Sequence, residues 1–342
     1  MTICIVNYKT FDLTRLCLQN ACDRIGRVLR RQGKKAAQER TYIIEDTTVH
    51  YDPKTMLIIK ARHGFGDNLM VTAVIEGIKQ QYPDLQIVVL AKHPEIFANN
   101  PGVFLCFDIK KIPRKNSVLR VAVDLEYEDY FERHRNQTKR VKYVDALYGC
   151  LPLTILSRVY TPKIFLTEQE QDYGSEKFGR LERPLIAVSP YGKRESTIVS
   201  KIYPQKKWEV IVGNLLSKKA TLLQIGLKSE GPLIAGCHDY RDMGYRRTAA
   251  VLAKCDAALV NPGGIMHLAT ACNTPCVAIF GGVEDPDISG YSWNRNIRVN
   301  LDCAPCWKKK LCKKSICQDL MPPELILREV VDLLRTLGFK IQ

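Results

Sequence analysis

The chain has 342 residues, enough for two α/β domains, and a composition 46% hydrophobic and 25% charged that excludes wholesale disorder. No run of about 18 uncharged apolar residues occurs to span a bilayer, and the first residues carry too short an apolar run for a secretory signal, so the expected place is the cytoplasm. A net charge of +15 reads as a solvated basic face or as a surface for an anionic partner; without a nucleic-acid motif or interleaved aromatics, a membrane surface or phosphorylated acceptor ranks above nucleic acid.

Residues 1–54 read as a basic helical extension. Leu13, Leu16, Leu18, Ala21, Ile25, Val28 and Leu29 recur loosely at helical spacing, with Arg24, Arg27, Arg30, Arg31, Lys34 and Lys35 between them. Such a helix more often packs on its own domain or a partner subunit, although peripheral contact with the inner membrane face suits its charge. At Met56 the pattern changes. MLIIKA reads as a strand, followed by Arg62-His63-Gly64-Phe65-Gly66-Asp67 and the helical VTAVIEGIKQQY. QIVVLA and VAVDLEY continue as strands, HPEIFANNPGV as a helix start, and YVDALYGCL as a short helix. The polar stretch EQEQDYGSEKFGRLERP breaks at Pro184, which places two domains at 55–178 and 179–342. In the second, PLIAVSP, ATLLQIG, DAALVN and PCVAIFGG read as strands among the helices WEVIVGNLLS, RRTAAVLAKC and IMHLATAC. PPELILREVVDLLRTLGF closes the chain as a helix entered at Pro and left at Gly. Strands alternating with helices predict an α/β fold of doubly wound parallel sheets, whose ligands bind beyond the carboxyl ends of the strands.

The loops after those strands hold the candidate chemistry. Asp67 falls at or near a helix N-cap, where it is either a capping residue or a general base for a hydroxyl at a cleft edge. Ser189 ends a strand, and Lys201, ahead of Tyr203-Pro204 and Trp208, is either a surface lysine or the cation that neutralises a diphosphate leaving group. Trp208 reads as core. In Asn261-Pro262-Gly263-Gly264-Ile265-Met266-His267, glycines between a strand and a helix start form an anion-binding nest. A lone helical histidine such as His267 is more often structural. Gly281, in the turn after the next strand, lines the same crevice.

Of thirteen cysteines, Cys4, Cys17, Cys22, Cys106, Cys150, Cys237, Cys255, Cys272 and Cys276 sit mainly in apolar surroundings. Their odd total and the missing export signal point to reduced thiols. Cys303, Cys306, Cys312 and Cys317 cluster instead. They read either as a tetrahedral structural site for zinc or iron, or as free thiols or a local disulfide.

In this order, G-x-G-D, K-x-Y-P with a following Trp, G-x-x-H-L-A and P-x-V-A-I-F-G-G are spaced as in the heptosyltransferases, glycosyltransferase family 9, and the chain resembles that family from about residue 56 onward. The resemblance implies a GT-B architecture: two Rossmann-like doubly wound domains with a cleft between them, acceptor on the first and nucleotide sugar on the second. It implies an inverting single displacement that needs no metal. It puts the catalytic base on Asp67, the phosphate contact on Lys201 and the donor loop on Asn261 to Leu268; beside these, Arg62, His63 and Gly66 are expected to contact the acceptor, and Ser189, Gly263, Gly264, His267 and Gly281 the donor. The family's D-(S/T)-G-x-x-H-L loop departs here to Asn261 and Pro262; Asn still hydrogen-bonds but carries no charge. The donor implied is an ADP-linked heptose or related sugar, and the acceptor an anionic surface glycan or glycolipid of lipopolysaccharide type. Two rival readings are a non-catalytic GT-B-like binding or assembly protein and a sugar-nucleotide epimerase, which would need no acceptor.

Overall fold

Met56–Ala61, Gln86–Ala91 and Cys276–Gly281 are apolar at nearly every position, the pattern of strands covered on both faces. The computed structural model describes residues 40–133, 141–173, 175–192, 201–306, 312 and 316–341, and in it these runs are strands of two parallel sheets. The chain divides into two units: Met1–Gly64, Val71–Gln137 and Val144–Tyr160 in the first, and Phe65–Met70, Thr138–Tyr143 and Thr161–Gln342 in the second.

In the first unit, β1 (Arg40–Ile44) and β2 (Thr47–Tyr51) form an antiparallel hairpin. Its two-residue turn places Glu45 and Asp46 at φ of 44° and 64°, the pair of positive angles that lets such a turn follow the strand twist. Tyr42, Ile44, Val49 and Tyr51 alternate inward and join a core with Met56, Ile58, Val88 and Leu90. So the end of the expected extension is a hairpin packed on this unit. The basic cluster from Arg24 to Lys35 lies outside the described residues.

The parallel sheet of this unit contains β3 (Met56–Ala61), β4 (Gln86–Ala91), β5 (Leu105–Asp108) and β6 (Val123–Asp124) in the order β5-β4-β3-β6. The helix α1 (Phe65–Gln81) follows β3, and α2 (Tyr143–Cys150) follows later. Two local readings shorten: the helix expected after His93 is a single 3₁₀ turn, Pro94–Ile96, and only Val123 and Asp124 of VAVDLEY pair as strand. The strand order reverses between β3 and β6, so the loop opened by Arg62 starts at a switch point, where ligands of such sheets bind.

The second unit has six parallel strands: β7 (Leu185–Ser189), β8 (Thr221–Gln224), β9 (His238–Asp239), β10 (Ala257–Val260), β11 (Cys276–Gly281) and β12 (Arg295–Arg298). Their order, β12-β11-β10-β7-β8-β9, is the dinucleotide-fold order, reversing between β7 and β10. The longer helices, of eight residues or more, are α3 (Gln205–Ser217), α4 (Gly244–Leu252), α5 (Gly264–Ala271) and α6 (Pro323–Thr336). On α6, Ile326, Val330 and Leu334 repeat every four residues and bury into a core with Trp208, Ile211 and Leu215 of α3. Trp208 is wholly buried there. Among the described residues no helix is long and apolar enough to cross a membrane.

Candidate active site

In the first unit the switch point is a charge cluster. Arg62, directly after β3, donates from Nε to Asp124 Oδ1 at 3.0 Å and from Nη2 to Glu126 Oε2 at 2.8 Å. Lys60 Nζ reaches the other Asp124 oxygen at 3.1 Å, and His63 Nε2 lies 2.9 Å from Glu126 Oε1. Arg62 and His63, expected toward an acceptor, are thus held by two carboxylates from the end of β6. Sequence reading passed over Asp124 and Glu126 because nothing local in VDLEY ties them to the Arg-His pair.

In the second unit the glycines after β10 form a turn into α5. Gly263 has φ 148° and ψ −160°, a conformation closed to side-chain-bearing residues, and turns the chain from β10 into α5. Gly66 closes on this loop. A Cβ at position 66 would lie 2.7 Å from His267 Cδ2 and 3.3 Å from Gly264 Cα, so only glycine permits the approach. Phe65 beside it stacks on Tyr245, with centroids 3.7 Å apart and planes within 8°. Gly66, Gly264 and His267 therefore meet, and Asp67 follows in the first turn of α1, partly buried.

Ser189 and Asn261 stand at the ends of β7 and β10, either side of the strand-order reversal, and both are buried. Asn261 is fully engaged by protein: Oδ1 accepts from the Tyr203 backbone N–H at 3.1 Å, and Nδ2 donates to Pro190 O at 2.9 Å. A carboxylate here would face that carbonyl with no proton to share. The departure from the family's Asp thus has a local reason.

His267 is 6% exposed, and its Nδ1 lies 2.6 Å from the hydroxyl of Tyr291, itself 4% exposed. Burial, reinforced by the charge of Lys201, pushes the imidazole pKa down to about 4, so the ring is neutral at pH 7. Lys201 is ion-paired with Glu284, which is 8% exposed and also accepts from Ser289 Oγ at 3.2 Å. Neither Glu284 nor Tyr291 was anticipated. The signal available was position alone, since Glu284 follows directly on the Gly281-Gly282-Val283 turn.

Gly281, at φ 64°, ends β11, and the cysteine segment folds against this turn. Cys306 N–H donates to Gly282 O at 3.0 Å, and a Cβ on Gly282 would meet Cys317 Cβ at 2.9 Å. Cys303 is exposed, while Cys306, Cys312 and Cys317 are partly buried. Burial raises the Cys317 pKa, the Gly282 N–H opposes this, and Cys306 and Cys312 are near enough to raise it further. Yet among the described residues no group of three or more Cys, His, Asp or Glu is arranged to hold a metal ion. The tetrahedral set expected of zinc or iron is not assembled by these side chains.

Compared with known proteins, residues 157–316 match the model of glycosyltransferase family 9 (heptosyltransferase). The lipooligosaccharide heptosyltransferase 2 of Campylobacter jejuni serotype O:6 is 31% identical over 83 residues, 23% of this chain and 26% of that one. The aligned stretch thus spans about a quarter of the curated relative. Among solved structures, the family 9 glycosyl transferase of Veillonella parvula superposes with a TM-score of 0.63 at 14% identity, over 82% of this chain and 97% of that chain. The ADP-heptose lps heptosyltransferase II of E. coli gives a TM-score of 0.59 at 17% identity, over 83% and 100%. The dodecameric iron-containing heptosyltransferase TibC of enterotoxigenic E. coli, in complex with ADP-D-β-D-heptose, gives 0.64 at 14% identity, over 85% and 79%. The chain therefore resembles the heptosyltransferases of glycosyltransferase family 9, carrying that family's match over residues 157–316 on an α/β fold of the GT-B type.

Proposed function

We propose that the protein is an inverting glycosyltransferase that moves a heptose from an ADP-linked donor to a hydroxyl of a lipopolysaccharide-type acceptor. The observation that carries this reading is the loop from Gly263 to His267, with Lys201 near His267, at the end of β10. There, the amides at the start of α5 and one lysine suit a diphosphate. Asp67 takes the proton of the acceptor hydroxyl as its oxygen bonds to the anomeric carbon. The bond from that carbon to the diphosphate breaks in the same displacement, and ADP leaves with the electron pair. Lys201 and the α5 amides stabilise the charge that develops on the leaving group. For this, Lys201 must exchange Glu284 for phosphate oxygens.

The nucleotide and sugar are inferred from the relatives. The E. coli neighbour is named for ADP-heptose and lps, TibC was solved with ADP-D-β-D-heptose, and the Campylobacter protein is named for lipooligosaccharide. The net charge of +15 suits an anionic acceptor at the inner membrane face. Thermal unfolding against ADP-, GDP-, UDP- and CMP-sugars and their free nucleotides tests the reading, because a ligand of the native state raises Tm by mass action. Selective stabilisation by ADP and ADP-heptose is expected. A folded protein unmoved by every nucleotide would instead be a non-catalytic binder.

A further inference from the structure

The buried pair His267 and Tyr291 holds information about the site that neither residue type carries alone. A neutral imidazole has one N–H, on either nitrogen, and the partner of the other nitrogen decides which. The Tyr291 hydroxyl has a single hydrogen-bond partner among the described residues, His267 Nδ1 at 2.6 Å. The rings meet edge to face, with centroids 5.5 Å apart and planes at 85°. If Nδ1 carried the proton and donated it to Tyr291, the buried phenol O–H would have no acceptor, an arrangement native interiors avoid. With the phenol donating, Nδ1 is the acceptor and the imidazole proton sits on Nε2.

The opposite edge of the ring is turned toward the glycine turn before Asp67. A Cβ built on Gly66 would lie 2.7 Å from His267 Cδ2 and 3.5 Å from Nε2. Burial holds the phenol proton in place by raising the Tyr291 pKa, and burial with the Lys201 charge keeps the imidazole neutral.

We propose that Tyr291 is a positioning residue: by donating to Nδ1 it locks His267 in the Nε2–H tautomer, presenting an uncharged N–H donor to the diphosphate at the Gly66 turn. The identity of that acceptor rests on the glycosyltransferase reading; the lock itself does not. The device gives the site a second, neutral donor beside Lys201, without placing a buried cation next to that lysine.

The test uses the full chain with ¹⁵N-labelled histidine and two-bond ¹H–¹⁵N correlation at pH 7. The chain has six histidines, and the His267 signals are identified by their loss in His267→Gln. Wild type should show His267 purely as the Nε2–H tautomer, and Tyr291→Phe a mixture of both. ADP should bind Tyr291→Phe more weakly in proportion to the Nε2–H fraction that remains, about two- to threefold for a comparable mixture of the tautomers. Glutamine at 267 keeps a fixed side-chain N–H and cannot tautomerise, so adding Tyr291→Phe to His267→Gln should change ADP affinity no further. An Nδ1–H tautomer in wild type overturns the lock and requires no variant to fold. An unchanged tautomer in Tyr291→Phe also overturns it, and a tautomer mixture with unchanged ADP affinity overturns the donor role. Failure of ADP to bind wild type would count against the glycosyltransferase reading, while the tautomer measurement would still decide the lock.

Discussion

Asn261 ties the end of β10 to the segment after β7: its Nδ2 donates to Pro190 O over 2.9 Å while its Oδ1 accepts from the backbone N–H of Tyr203 at 3.1 Å. Both functions of one buried amide are used, across the point where strand order reverses. Asn261→Asp, isosteric but charged, replaces the donor with an oxygen facing a carbonyl. It should destabilise the fold by about 2–4 kcal/mol, since a buried partner is left unmatched and a charge uncompensated. Urea unfolding at pH 7 checks this; a change below about 0.5 kcal/mol would mean the brace is not used.

Lys201 is ion-paired with Glu284, so under the proposed function ADP would compete with the carboxylate for one ammonium. Glu284→Gln keeps the shape and the acceptor for Ser289 but removes the competing charge. ADP affinity should rise several-fold while thermal stability falls, because the partly buried lysine loses its counter-charge. Titration calorimetry with ADP separates the two effects. Weaker ADP binding in a folded variant would show that Glu284 assists the nucleotide rather than competing with it.

Asp67 lies in the first turn of α1, immediately after the glycine that closes on His267. Asp67→Asn should keep ADP binding within about twofold and lower turnover by roughly 10²–10⁴, the range for loss of a general base. Release of ADP in the presence of acceptor measures turnover, and the thermal shift with ADP measures binding. Equal loss of both would assign Asp67 to binding or to capping of α1.

Acid should destabilise the protein in two stages. The His267 pKa is lowered to about 4 in the fold, from 6.5, so between these values the unfolded chain binds the extra proton and stability falls as pH falls. The span corresponds to about 2–3 kcal/mol by pH 4. Glu170 is held down to about 2 by its hydrogen bond with Arg246, and its contribution is lost at still lower pH, from about 4.5 downward. Tm followed from pH 7.5 to 4 in wild type and His267→Gln isolates the first stage. Parallel curves for the two proteins would show that the imidazole is not buried neutral.

The sequence by itself determined what depends on neighbours along the chain. Apolar runs such as QIVVLA and CVAIFG become strands covered on both faces, because few other structures satisfy a short run of that kind. Glycines placed between a strand and a helix marked the loop at Gly263, since the backbone angles there admit no other residue. The order of motifs was enough to point to the heptosyltransferases.

Pairings between distant residues were decided only in the tertiary structure. Lys201 with Glu284, Asn261 with Pro190 and His267 with Tyr291 join separate loops and strand ends, and each depends on which strands lie side by side. A carboxylate after a glycine turn, or a tyrosine in the segment between β11 and β12, carries no local mark of its partner. Burial completes their chemistry. It makes His267 neutral and penalises an enclosed donor left without an acceptor, and the topology determines which residues are enclosed.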